Sequence, residues 1–263
     1  MIKIITKFYI ILLLITLSAC ETSQSINLDT SKNKASIETL RITNNAEIIG
    51  TVDSLGVYKW LGIPYAEKPI NNFRWRATRE LKNYDKKYEA VSFAEPCVQF
   101  QSSLTNNGLV KPGAVVGSED CLYLNIYSPA FSKNSILNDN IKLPVMVWIH
   151  GGGNTTGMPS EYNPEVFVRS EEIIFVSIAY RLGIFGWLSH PELREQEGED
   201  SSSNFGLLDQ IMALKWIKEN IQFFGGDPNN ITIFGESAGG QNVIALYSSP
   251  LSRDLFDKAI SQS

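Results

Sequence analysis

Two apolar runs limit the folds open to this chain of 263 residues. Residues 144–149 and 173–180 are apolar at nearly every position, and each run is too short to cross a bilayer as a helix. Runs of this length are typical of β-strands that are covered on both faces, as in a parallel sheet. Since parallel neighbours need long connections, usually helices, the two runs predict a sheet with helices packed on both sides.

A helix and a further buried strand follow in the order that such a sheet requires. Apolar residues recur at three- and four-residue steps between Leu207 and Ile221, with Ser203 or Asn204 as the candidate cap. Residues 231–234 form another apolar run. Near the amino end, three short β-branched segments predict an antiparallel meander: residues 37–43, 48–52 and 57–62. The predicted fold class is therefore α/β, with a central, mostly parallel sheet and small antiparallel strands at the amino end.

The first twenty residues have the layout of an export signal. Lys3 and Lys7 precede an apolar run over residues 8–17, and small residues lead to Cys20. This ending resembles the lipobox of bacterial lipoproteins, in which the cysteine is lipidated; an ordinary secretory peptide with a chance cysteine is the alternative. We predict a lipoprotein signal peptide over residues 1–19, lipidation of Cys20, and export to the periplasmic, outer-membrane or cell-surface side of a bacterial membrane.

The chain after the signal divides into a tether and a domain. Residues 20–35 are rich in small polar residues, which is typical of a flexible tether between an anchor and a domain. From residue 36 to residue 263 the pattern of apolar segments predicts a globular domain.

Composition and charge argue against several classes of partner and cofactor. Lys and Arg number 23 against 28 Asp and Glu, and no long basic stripe is present, so a nucleic-acid partner is not expected. Three Cys and two His lack the clustered spacing of a zinc site. No G-x-G-x-x-G or Walker-type loop occurs in the sequence. We therefore expect neither a metal nor a cofactor.

The motif G-x-S-x-G occurs at residues 235–239, between the strand at 231–234 and a further helical run. A serine on such a sharp strand-to-helix turn is strained and presents its hydroxyl outward, and flanking glycines relieve collisions with neighbouring backbone. The amide of Ala238, at the helix start, can donate to a developing oxyanion. The motif thus predicts Ser237 as a nucleophile, while a glycine-rich turn that only closes the corner is the alternative.

A second glycine-rich segment directly follows the strand at 144–149. His150 is followed by Gly151, Gly152 and Gly153, and such glycines let main-chain amides approach a substrate closely. The loop is therefore a candidate source of oxyanion-binding amides. The two segments together are more specific evidence for a nucleophilic Ser237 than either segment alone.

With these residues, the chain resembles the type B carboxylesterase and cholinesterase family of the α/β-hydrolase fold. The resemblance covers residues 36–263 and is carried by these segments: 119–129, 148–153, 180–186, 204–210 and 224–239. It implies that Ser237 is the nucleophile of a serine carboxylesterase acting on small carboxylic esters through an acyl-enzyme. It further implies an oxyanion hole formed by the amides of Gly152, Gly153 and Ala238. Asn154 departs from the aromatic residue that the family usually carries after the glycines.

The resemblance also concerns the cysteines. It implies a disulfide between Cys97 and Cys121, with two buried free thiols as the alternative; export permits the bridge. Cholinesterases carry a Trp inside this disulfide loop, whereas Phe100 is the only aromatic residue there, which argues against choline esters. We expect Arg181 and Asp209 to form structural ion pairs.

The catalytic triad is incomplete within the sequence. In α/β-hydrolases the acid and the histidine follow the serine, but only 26 residues follow Ser237 and none is His. His150 and His190 precede it, and we expect His150 to brace the glycine loop rather than take a proton. Residues 256–263 are typical of the start of a further strand. The expectation is an amino-terminal fragment of a longer esterase, inactive alone; the alternatives are a non-catalytic cholinesterase-like binding or adhesion protein, or an inactive truncation product.

Overall fold

The computed structural model describes residues 34–82, 85–102, 113–131 and 142–263. The predicted signal peptide, the lipidation site at Cys20 and most of the tether lie outside the described residues. All of the described residues belong to one compact unit, Lys32–Ser263. No helix in the described ranges combines the length and the apolar composition that crossing a bilayer requires.

The central element is a sheet that has seven strands within the described residues, in the order β3-β4-β8-β10-β9-β11-β12. The strands of the structure are β1 (Arg41–Ile42), β2 (Glu47–Ile49), β3 (Thr51–Val52), β4 (Tyr58–Pro64), β5 (Lys87–Glu89), β6 (Gln99–Phe100), β7 (Val115–Val116), β8 (Tyr123–Ser128), β9 (Leu143–Ile149), β10 (Ile174–Ile178), β11 (Gly226–Glu236) and β12 (Lys258–Gln262). The predicted strands at 144–149, 173–180 and 231–234 correspond to β9, β10 and β11, which lie side by side. The strand predicted near the carboxyl end is present as β12.

Three of the five helices within the described residues contact strands of this sheet. The five helices are α1 (Glu165–Glu171), α2 (Gly183–Trp187), α3 (Pro191–Arg194), α4 (Phe205–Asn220) and α5 (Ala238–Ser248), with single 3-10 turns at Ile37–Thr39, Asn71–Phe73, Gly198–Ser201, Ile221–Phe224 and Pro250–Ser252. Helices α4 and α5 contact each other and β11, whereas α1 contacts β8. The predicted helix is α4; Asn204 is its capping residue, although the Asn204 side chain makes no capping hydrogen bond. The α/β fold class is confirmed.

Both faces of the sheet are buried at its centre. All five residues of β10 are buried. Ile174, Val176 and Ile178 belong to the larger apolar cluster, while Phe175 belongs to a smaller cluster on the other face with Val168 of α1. This alternation follows from the two-residue period of a strand. It explains why the sequence of β10 reads as a continuous apolar run.

The sheet is mixed, which differs from the predicted mostly parallel arrangement. The pairs β10–β9, β9–β11 and β11–β12 are parallel, whereas β3–β4, β4–β8 and β8–β10 are antiparallel. A run of apolar residues indicates that a strand is buried but not in which direction it runs. The antiparallel pairing of β8 with β10 could therefore not be deduced from the apolar runs.

The predicted amino-terminal meander is present only in part. β1 pairs with β2 and β3 pairs with β4, both antiparallel, but β2 also pairs in parallel with β5 in a separate small sheet. Gly50 lies between β2 and β3, where a Cβ would lie 2.1 Å from the carbonyl oxygen of Lys59. This close approach requires glycine at the point where the chain passes from the small sheet to the main one.

A disulfide joins Cys97 and Cys121, whose Cα atoms are 5.0 Å apart. Both cysteines are buried in the larger apolar cluster. The bridge connects the segment before β6 to the residues that lead into β8, and the implied pairing is the one found.

Candidate active site

Ser237 occupies the turn between β11 and α5. Its backbone has φ 55° and ψ −121°, a conformation that residues with a side chain rarely adopt. A Cβ on Gly235 would lie 2.6 Å from the carbonyl oxygen of Ile149, and a Cβ on Gly239 would lie 2.1 Å from the same oxygen. The two motif glycines are therefore required because β9 passes directly beside the turn. Ser237 is exposed and its backbone is strained, as the motif predicts.

The turn is held by backbone hydrogen bonds on both sides of Ser237. The Ser237 amide donates to the carbonyl oxygen of Gln262 in β12 at 3.0 Å, and the Ser237 carbonyl oxygen accepts from the Gln241 amide at 3.0 Å. Within the described part of the chain, the Ser237 hydroxyl makes no hydrogen bond. The hydroxyl is thus positioned by the backbone and left available for a substrate.

The glycine loop lies directly against this turn. A Cβ on Gly151 would lie 3.4 Å from the Cβ of Ser237 and 2.8 Å from the carbonyl oxygen of Glu236. A Cβ on Gly239 would lie 2.8 Å from the carbonyl oxygen of His150. Only glycines allow the two backbones to approach this closely. The structure therefore brings together the two segments that the sequence singled out separately.

The loop adopts a conformation that frees its amides. Gly152 and Gly153 have φ values of 89° and 65°, and a Cβ on Gly152 would lie 2.1 Å from the carbonyl oxygen of Thr156. The carbonyl oxygen of Gly152 accepts from the amides of Thr155 and Thr156, both at 3.1 Å. Among the described residues, no protein acceptor is bonded to the amides of Gly152, Gly153 or Ala238. These three donors remain open to a ligand.

Gln99 supports the end of the loop, and sequence reasoning missed it. Its carboxamide oxygen accepts from the Gly157 amide at 2.8 Å and from the Thr156 hydroxyl at 2.7 Å. Its carboxamide nitrogen donates to the carbonyl oxygens of Gly157 and Cys97, both at 2.9 Å. Gln99 therefore links the loop to the backbone of Cys97, which the disulfide joins to Cys121. A buried glutamine gives no sequence signal for such a role.

The two histidines have different surroundings, and neither forms a hydrogen bond with Ser237 in the described ranges. His150 is 1% exposed and stacks on Tyr180, with ring centroids 4.4 Å apart. Burial lowers the pKa of His150 to about 4, although its hydrogen bond to the Gly151 carbonyl oxygen opposes this, so the ring is neutral near pH 7. The Tyr180 hydroxyl donates to the His150 carbonyl oxygen at 2.7 Å. These contacts agree with a bracing role.

His190 lies at the surface, where it precedes α3. Its ring nitrogen Nδ1 accepts from the Glu192 amide at 3.4 Å, as a helix cap does. This contact accounts for His190 without a catalytic role.

The comparison with known proteins identifies the family. The model of the carboxylesterase family matches residues 38–263 of the chain. The chain belongs to the carboxylesterase family. It is 42% identical to the para-nitrobenzyl esterase of Bacillus subtilis (strain 168) over 224 residues, which are 84% of this chain and 42% of that protein. It is 38% identical to the cocaine esterase of Oryctolagus cuniculus over 232 residues, which are 85% of this chain and 42% of that protein.

Solved carboxylesterase structures share this architecture. A PNB esterase structure superimposes with a TM-score of 0.74 at 38% identity, covering 85% of this chain and 44% of that one. A Geobacillus stearothermophilus carboxylesterase gives a TM-score of 0.71 at 39% identity, covering 84% of this chain and 42% of that one. The chain thus spans less than half the length of these carboxylesterases.

Proposed function

We propose that this chain supplies the nucleophile and the oxyanion-binding amides of a hydrolase of small carboxylic esters. Ser237 is the nucleophile, and the amides of Gly152, Gly153 and Ala238 bind the developing negative charge. The observation that carries the proposal is the close approach of the two segments: a Cβ on Gly151 would lie 3.4 Å from the Cβ of Ser237. Family membership and relatives named as esterases support the same reaction class.

The chemistry follows from this arrangement. The Ser237 oxygen attacks the ester carbonyl carbon, the alcohol leaves, and water hydrolyses the resulting acyl-enzyme. The carbonyl oxygen becomes an oxyanion in each tetrahedral intermediate, where each donor contributes about 2.7 to 4 kcal/mol of transition-state stabilisation. Because serine and water supply both nucleophiles, the proposed reaction needs no cofactor.

The proton of the Ser237 hydroxyl requires a base. A histidine takes this role in the family's triad, oriented by a carboxylate, and both follow the serine in the chain. The 26 residues after Ser237 contain no histidine. We place both groups in the portion of the family fold that lies outside this chain, which spans 42% of the para-nitrobenzyl esterase.

Covalent labelling tests this proposal. In the full-length protein, a fluorophosphonate should react at Ser237, since the serine oxygen bonds to phosphorus and fluoride leaves. Peptide mass spectrometry should locate the added phosphonyl group on Ser237 alone. Ester hydrolysis with no label on Ser237, or with the label on another serine, would contradict the assignment.

We propose further that the protein is exported and anchored to a bacterial membrane through lipid on Cys20. The supporting pattern is two lysines, the apolar run over residues 8–17, and Ser18 and Ala19 before Cys20. In bacteria fed an alkyne-labelled fatty acid, the wild-type protein and a Ser25→Ala control should both carry the label in the membrane fraction. The Cys20→Ala variant should lose it. An unlabelled mature wild-type protein would instead support an ordinary secretory peptide.

A further inference from the structure

Two asparagine side chains connect the glycine loop to the helix that follows Ser237. The Asn242 carboxamide nitrogen donates to the Asn154 carboxamide oxygen at 2.8 Å, and the Asn154 nitrogen faces the Asn242 oxygen at 3.4 Å. Asn242 is 3% exposed. The two residues are 88 positions apart in the sequence, so the pair exists only in the folded chain.

Each asparagine lies close to a proposed oxyanion donor. Asn154 directly follows Gly152 and Gly153, while Asn242 lies one helical turn after Ala238 in α5. The pair therefore bridges the two segments that carry the donors. Backbone packing at Gly239 brings the start of the loop against α5, and the asparagine pair adds a side-chain contact beyond the glycines.

The backbone at Asn154 explains why asparagine suits this position. Asn154 has φ 56°, directly after two glycines that also have positive φ. Asparagine tolerates this left-handed conformation better than bulky residues do. The Asn154 carbonyl oxygen also accepts from the Gly183 amide at 2.7 Å, which fixes the other side of the loop. The aromatic residue that the resemblance led us to expect here could not form a carboxamide pair with Asn242.

We infer that the Asn154–Asn242 pair is a positioning device that sets the distance between the glycine-loop amides and Ser237. The inference rests on the proposed function. Oxyanion donors act only when they lie about 2.7 to 3.1 Å from the developing oxyanion. An error of about 1 Å in such a position can lower the rate about 100-fold. Since the oxyanion is present in the tetrahedral intermediates and their transition states but not in the bound ester, loss of the pair lowers kcat and leaves KM nearly unchanged.

Steady-state kinetics of the full-length esterase with p-nitrophenyl butyrate test the inference. Asn242→Ala should lower kcat about 10- to 100-fold and change KM less than about twofold. Asn154→Gly, which the positive φ accommodates, should give a similar loss and serves as the second variant if Asn242→Ala folds poorly. The double variant should lose no more than Asn242→Ala alone, because Asn242 also contacts the Tyr180 side chain whereas Asn154→Gly breaks only the asparagine pair.

Asn220→Ala is the matched control for loss of a buried carboxamide. Asn220 is 6% exposed and its carboxamide nitrogen donates to the Trp216 carbonyl oxygen in α4. This variant should unfold at a lower temperature and keep its kcat within about twofold of wild type, as expected when a lost hydrogen bond affects stability alone. A wild-type kcat in Asn242→Ala or Asn154→Gly, or additive losses in the double variant, would overturn the inference. If Ser237→Ala retains turnover, the proposed function itself fails, so the two failures are distinguishable.

Discussion

Replacing Ser237 with alanine is expected to lower kcat for p-nitrophenyl ester hydrolysis by at least about 10⁴-fold in the full-length protein. The substitution removes the oxygen of the proposed nucleophile and leaves the proposed oxyanion donors in place. Without the covalent intermediate, the initial burst of p-nitrophenol should also disappear. Initial rates and stopped-flow traces of the wild-type protein and the variant provide the measurement.

A serine in the same helix is the control for this experiment. Ser248 ends α5, is exposed, and donates its hydroxyl to the Ile244 carbonyl oxygen. Ser248→Ala should hydrolyse the ester at the wild-type rate. Wild-type turnover by Ser237→Ala would remove Ser237 from the role of nucleophile.

Replacing Asp209 with alanine is expected to lower the free energy of unfolding by about 3 to 5 kcal/mol. The Asp209 side chain is fully buried, and the paired Arg181 side chain is 3% exposed. The carboxylate accepts from the Arg181 amide at 2.9 Å, from two Arg181 guanidinium nitrogens at 2.8 Å each, and from the Thr78 hydroxyl at 2.5 Å. Its removal leaves a buried guanidinium without its counter-charge. Urea denaturation monitored by tryptophan fluorescence measures the loss.

An exposed ion pair gives the matching control. Lys87 faces Glu47 at 3.7 Å, and the Lys87 side chain is 83% exposed. Lys87→Ala should leave the denaturation midpoint unchanged, because solvent screens such pairs. The double variant Arg181→Met, Asp209→Leu should recover most of the stability lost in Asp209→Ala, since it removes both buried charges. A wild-type midpoint for Asp209→Ala would contradict a stabilising role for the ion pair.

The parts of the fold that could be predicted are those encoded in local patterns. The apolar runs gave β9, β10 and β11, and the spacing of Leu207 to Ile221 gave α4. The predicted ion pair of Arg181 and Asp209 is confirmed. The strained turn at Ser237 follows from glycines at fixed positions, which report a backbone requirement directly. Such features depend on residues close together in the chain.

Other features depend on contacts between distant segments. The direction of β8 is set by its neighbours in the sheet, and the support of the glycine loop by Gln99 joins residues 58 positions apart. The Asn154–Asn242 pair likewise forms only when the loop packs on α5. The identity of a side chain does not indicate which distant atom will be the hydrogen-bond partner of a buried carboxamide. These contacts were therefore not predictable from the sequence.

The geometry of the phosphonylated protein tests the central claim most directly. In a crystal structure of the full-length protein with a phosphonyl group on Ser237, one phosphonyl oxygen stands for the oxyanion of the tetrahedral intermediate. This oxygen should lie about 2.7 to 3.1 Å from the amide nitrogens of Gly152, Gly153 and Ala238. A phosphonyl oxygen that points to solvent, with these amides bonded elsewhere, would contradict the assignment of the oxyanion hole.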